Sequence, residues 1–139
     1  MTRSGFPMRD HPTPGVAVGY TKQHPDALED GYSMENTFLL APWGTAGGGA
    51  YSTVGDLQRF WLGLADGKIA GERGFSMVLS EYDETAGTPD GETARAGGGP
   101  GVMAIVLFNP GQRRFAVVLS NFDSEELVSQ VMDRFEGGR

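Results

Sequence analysis

Val102-Met103-Ala104-Ile105-Val106-Leu107-Phe108 is followed by Asn109-Pro110-Gly111-Gln112 and then, after two arginines, by Phe115-Ala116-Val117-Val118-Leu119. The two apolar runs are rich in branched and aromatic side chains, which suit a pleated strand, and the polar segment between them predicts an antiparallel hairpin. Proline at the first central position fixes φ near −65°, and glycine at the second accepts a positive φ, so the linker predicts a type II turn. Val102 to Phe108 is also the longest apolar run in the chain, far short of the roughly 20 residues that a spanning helix needs.

Working outward, a helix is expected from Ser124, with Glu125 and Glu126 near its positive end and Leu127, Val128, Val131, Met132 and Phe135 on one face. Upstream, Phe75 to Tyr82 reads as a strand, Thr88-Pro89-Asp90-Gly91 as a polar turn, and a short extended segment ends at Gly97. A further helix starts after Ser52 or Thr53 as N-cap, carries Asp56 in its first turn and Leu57, Phe60, Trp61 and Leu64 at helical spacing, and closes at Gly67. Residues 1–50 hold five of the eight prolines and read as an extended, loop-rich arm, with Gly15 to Tyr20 as a short strand. Antiparallel sheet with covering helices is an α+β layout, and 139 residues suit one domain, 1–139.

Hydrophobic residues make up 39% and charged residues 21%, a globular composition. Eighteen acidic against eleven basic side chains give a net charge of −7, the wrong sign for a nucleic-acid backbone or an anionic membrane. The absence of cysteine removes disulfides, thiolate zinc sites and cysteine nucleophiles together. Met1-Thr2-Arg3-Ser4-Gly5 lacks the apolar stretch of a signal peptide, so the expected location is cytoplasmic.

Three blocks carry a resemblance: Ala46-Gly47-Gly48-Gly49-Ala50-Tyr51-Ser52-Thr53-Val54-Gly55-Asp56-Leu57-Gln58-Arg59-Phe60, then Gly97-Gly98-Gly99-Pro100-Gly101, then Val117-Val118-Leu119-Ser120-Asn121. In order and spacing they resemble the C-terminal part of the serine β-lactamase family, the group of class C β-lactamases, esterases and D-alanyl-D-alanine peptidases. Met1 to Phe6 is similar to the segment that follows a mid-sequence Pro-Leu-Gly in that family. The resemblance implies a fold derived from the family's α/β domain, a truncated chain matching the last third or so of a typical member, and a sheet whose N-terminal strands are missing.

The family acylates a serine in Ser-x-x-Lys, where the lysine helps to deprotonate the nucleophile. Here Lys22 and Lys68 are preceded at that spacing by Gly19 and Ala65, and none of the four tyrosines starts a Tyr-x-Asn. The third family element, Lys-Thr-Gly or His-x-Gly, falls at Arg95-Ala96-Gly97. Arg95 offers a cation for a carboxylate or phosphate oxygen; the alternative is a solvated arginine on a strand.

Other candidates stand on the residues alone. Ser52, after three glycines and at a helix start, is a candidate nucleophile, with capping as the competing role. Gly97, Gly98, Tyr51 and Trp43 are candidate substrate contacts. His11, His24 and Asp26 are candidate ligands for a divalent metal, which would supply a water nucleophile, although no HxH or HxxxH spacing supports them. The acidic residues Glu81, Asp83, Glu84, Asp90 and Glu92 read as a solvated turn before they read as an acid/base pair.

Three functions follow as expectations: a β-lactamase-like hydrolase fragment lacking the acylating serine, a small esterase or phosphoesterase with a rebuilt and possibly metal-dependent site, or a binding or complementation module. A small-molecule substrate and a homodimer, formed through an uncovered sheet edge, are the expected partners.

Overall fold

The computed structural model describes residues 1–8, 13–23, 33–37, 39–79, 93–123 and 125–137. In chain order they form β1 (Tyr20–Thr21), β2 (Met34–Glu35), α1 (Val54–Ala65), α2 (Gly71–Leu79), β3 (Thr93–Gly99), β4 (Val102–Asn109), β5 (Arg114–Ser120) and α3 (Glu125–Gly137). β1 and β2 pair antiparallel, and β3, β4 and β5 make an antiparallel sheet in that order.

β4 is the central strand, and its apolar run is explained by burial on both faces. Val106 and Phe108 point to one side, where Trp61, Leu64 and Phe75 of α1 and α2 close over them. Ile105 and Leu107 point to the other, against Phe135 of α3. The result is a sheet sandwiched between α1 with α2 and α3, the period-2 alternation of the strand serving two helical layers. Phe108, with no exposed surface, is the hub of the first layer: its ring centroid lies 6.2 Å from Trp61, 6.0 Å from Phe75 and 5.9 Å from Phe115. Burying one such ring contributes about 1.5–3 kcal/mol before its aromatic contacts are counted.

The expected helix at 54–65 is present, and its cap is Thr53, whose Oγ1 accepts from the Asp56 amide at 3.2 Å. Beyond Asp66, Gly67 adopts φ +69° and the Lys68 amide reaches back to the Gly63 carbonyl, a glycine-terminated helix end. The C-terminal helix is also present as α3.

Three local expectations are corrected. Residues 71–79 are helical rather than extended, and the remainder of the expected Phe75–Tyr82 strand lies outside the described residues. A short apolar run does not distinguish the two, and Phe75, Val78 and Leu79 have helical spacing as well. The strand expected over Gly15–Tyr20 shrinks to Tyr20–Thr21, because Gly15 turns at φ +81° and Val16 and Val18 face no core. The hairpin turn is not type II: positive φ falls on Arg113 (+49°), not on Gly111. Asn109 Oδ1 accepts from the Gln112 amide at 2.8 Å and the Pro110 carbonyl accepts from the Arg113 amide, which lengthens the loop to 110–113 under the closing pair Asn109–Arg114. The hairpin itself is as expected.

Candidate functional site

β3 pairs with β4 along one side only among the described residues. Arg95 stands opposite Val106 and Gly97 opposite Ala104, and directly opposed residues share a face, so both lie on the face that α1 and α2 cover further along the sheet. A Cβ built on Gly97 meets nothing within 4 Å, whereas one on Gly98 lies 3.1 Å from the Val102 carbonyl. Beside Arg95, then, the strand leaves out a side chain and opens its surface. Arg95 is half-buried, and its Nη1 donates to the Ala94 carbonyl at 2.8 Å. A strand edge of small residues admits an extended ligand backbone, and a guanidinium on the same strand supplies the charge to hold a carboxylate.

Glycine-rich residues 97–101 are tied to the arm. Asn36, buried, donates from Nδ2 to the Pro100 carbonyl at 2.8 Å, and Leu40 Cδ2 lies 3.4 Å from the Cβ position of Gly99. Gly101 takes φ +73° with its Cβ position 2.8 Å from the Tyr20 amide nitrogen, so no side chain fits there. After β5, the Asn121 carbonyl accepts from the Tyr20 amide and Asn121 Nδ2 donates to the Val18 carbonyl. Buried Thr21 donates to Asp123 at 2.6 Å. Two of the three quoted sequence blocks therefore meet the arm at one end of the sheet.

The third block sits elsewhere. Tyr51 exchanges both backbone hydrogen bonds with Gly5, Trp43 bridges to Met8 and stays 63% exposed, and Ser52 Oγ lies 2.8 Å from Ser4 Oγ. Ser4 also donates to Asp56 Oδ2 at 2.8 Å, which the Arg3 amide reaches at 2.7 Å, while Arg59 donates to Oδ1 at 2.5 Å. The Arg59 guanidinium, then the Arg3 amide and Ser4 hydroxyl, outweigh burial and hold the Asp56 carboxyl well below the usual carboxylate range. An ionised carboxylate only accepts, so the Ser4 proton goes to Asp56 and Ser4 Oγ accepts from Ser52, whose hydroxyl is also 3.4 Å from the Thr53 carbonyl. The chain ends on a weak base and ties residues 3–4 to the start of α1. Ser52 is not the cap of that helix.

The candidate residues thus fall into two groups by their contacts: Arg95, Gly97 and Gly98 on β3, and Trp43, Tyr51 and Ser52 beside the N-terminal residues. His11, His24 and Asp26, like the acidic residues from Glu81 to Glu92, lie outside the described residues. No group of three or more His, Asp or Glu among the described residues is placed to hold a metal. No described helix is long and apolar enough to cross a membrane. A groove of about 350 Å³ between β5 and α3, bordered by Arg114, Phe115, Val131 and Arg134, holds none of the expected residues. Sequence reasoning missed Ser4, Asn36 and Thr21, which are small polar residues in an arm without periodicity. It saw Asp56 only as a first-turn acid.

No family model and no curated protein matches the sequence. The structure is similar to the crystal structure of a penicillin-binding protein from Bacillus halodurans, at 26% identity and a TM-score of 0.77, over 98% of this chain and 44% of that one. The chain spans less than half the length of that protein, and its fold is that of a part of the penicillin-binding-protein and β-lactamase-like architecture.

Proposed function

We propose that this chain forms the ligand-binding edge of a penicillin-binding-protein-like acyl-transfer site and that, on its own, it binds without acylating. The observation that carries the reading is the edge of β3 that is unpaired among the described residues, where Arg95 and the unencumbered Gly97 share a face. The likeness to a penicillin-binding protein supports penicillin, a lactam bearing a carboxylate, as the ligand class to try first. The strand backbone pairs with the ligand amide, and the guanidinium pairs with its carboxylate.

Acylation would need an activated serine. No serine in these 139 residues stands three before a lysine, and the Ser52 hydroxyl is engaged by Ser4 and the Thr53 carbonyl, with Asp56 too weak a base beyond Ser4. The nucleophile of such a site would come from a region outside these residues.

Calorimetric titration with benzylpenicillin and with its hydrolysed penicilloate tests the reading. Reversible binding is expected, weakened about 10–100-fold in Arg95→Ala by loss of a charge-assisted contact of about 1.5–3 kcal/mol, and partly restored in Arg95→Lys. Equal affinity in wild type and Arg95→Ala would overturn it.

A further inference from the structure

Arg95, Gly97 and Gly99 of β3 stand opposite Val106, Ala104 and Val102, so all three share the face on which the ligand edge lies. At about 3.3 Å of rise per residue, the first and the last are roughly 13 Å apart. Their surroundings differ. Arg95 brings a guanidinium, a Cβ on Gly97 would meet nothing within 4 Å among the described residues, and a Cβ on Gly99 would lie 3.4 Å from Leu40 Cδ2, in ordinary van der Waals contact. The space over Gly97 is thus bounded by a cation at one end and by an isobutyl group at the other.

Leu40 comes from the arm, and Asn36 fixes its place over β3. Asn36 is buried; its Nδ2 donates to the Pro100 carbonyl at 2.8 Å, its amide donates to the Gly19 carbonyl and its carbonyl accepts from the Leu39 amide, both at 2.9 Å. One residue therefore holds both the turn that follows Gly99 and the turn that presents Leu40. Leu40 itself is only half-buried, so part of it faces solvent.

We propose that Leu40 is a specificity-determining residue of the β3 edge, selecting ligands that carry an apolar group at the end opposite their carboxylate. The inference rests on the ligand reading given above and narrows it. A molecule that fills the space over Gly97 with its carboxylate on Arg95 directs its far end at Leu40. There an apolar group leaves water, whereas a polar group loses hydration and gains no partner from a leucine. Leu40 has nothing to offer a carboxylate or an amide, so it discriminates between ligands that share both. In a penicillin the variable end remote from the carboxylate is the acyl substituent.

Calorimetric titration with benzylpenicillin and with its acetamido analogue, in which a methyl group replaces the benzyl group, isolates that contact, because both ligands keep the amide, the lactam and the carboxylate. Wild type is expected to favour benzylpenicillin by about tenfold, and Leu40→Ala to bring the ratio within about twofold of unity with the affinity for the acetamido analogue unchanged. Leu40→Met, apolar and of similar volume, is expected to keep the preference. Leu40→Asn, similar in size but polar, is expected to lose it, so the outcome does not depend on the gap that an alanine leaves. A purely structural part for Leu40 would lower both affinities together and leave their ratio alone. A wild type that binds both ligands equally, or a preference that survives in Leu40→Ala and Leu40→Asn, would overturn the inference and leave the ligand edge standing. A wild type that binds neither ligand would overturn the ligand edge and the inference with it.

Discussion

Ser4 Oγ donates a 2.8 Å hydrogen bond to the carboxylate of Asp56, 52 residues later, and through it the N-terminal residues are fastened to the first turn of α1. Asp56 has no solvent-exposed surface; its side chain receives three hydrogen bonds, from the Arg3 amide, Ser4 and Arg59, and its own amide donates to Thr53 Oγ1, which caps the helix beside it. The carboxylate is positioned where the helix dipole favours negative charge.

The pH dependence of stability follows from that arrangement. The folded-state pKa of Asp56 lies below its unfolded value, so its contribution is complete above the unfolded value, near pH 4, and is lost as pH falls from there towards the folded value. Urea midpoints between pH 7 and pH 3 are expected to fall more steeply for wild type than for Asp56→Asn, which should be less stable at pH 7. Parallel pH profiles for the two proteins would contradict this assignment.

Thr93 Oγ1 is buried and has no hydrogen-bond partner among the described residues. Valine has nearly the same shape without the hydroxyl, and β3 favours a branched side chain. Thr93→Val is therefore expected to raise stability by about 0.5–2 kcal/mol, read as a higher thermal midpoint. A loss of stability would mean that the hydroxyl has a role in the fold.

Two glycines in the same stretch should respond in opposite ways to a methyl group. Gly101→Ala forces an L-residue to φ +73° against the Tyr20 backbone and is expected to cost about 1–3 kcal/mol. Gly97→Ala meets open space at ordinary φ and is expected to change stability by less than about 0.5 kcal/mol while narrowing the ligand edge. Thermal melts of the two variants, with the benzylpenicillin titration repeated on Gly97→Ala, check both statements.

The β4–β5 hairpin, α1 and α3 were legible in the sequence because each carries a period that only one backbone geometry satisfies. Residues 71–79 were not, since their apolar run is too short for strand and helix to be told apart. The turn at 110–113 escaped because an Asn109 side-chain hydrogen bond, rather than the Pro-Gly pair, decides its shape. Arg95, Gly97 and Gly98 could be placed together from adjacency on one strand. The fastening of Arg3 and Ser4 to Asp56 could not, because a hydrogen bond spanning 52 residues leaves no periodic trace in the chain.

Intact-mass spectrometry of the pure chain after prolonged incubation with benzylpenicillin tests the central claim most directly. The account predicts an unmodified mass, because the ligand docks on β3 with no activated serine to open the ring. A stoichiometric covalent adduct on any serine, Ser52 above all, would contradict it.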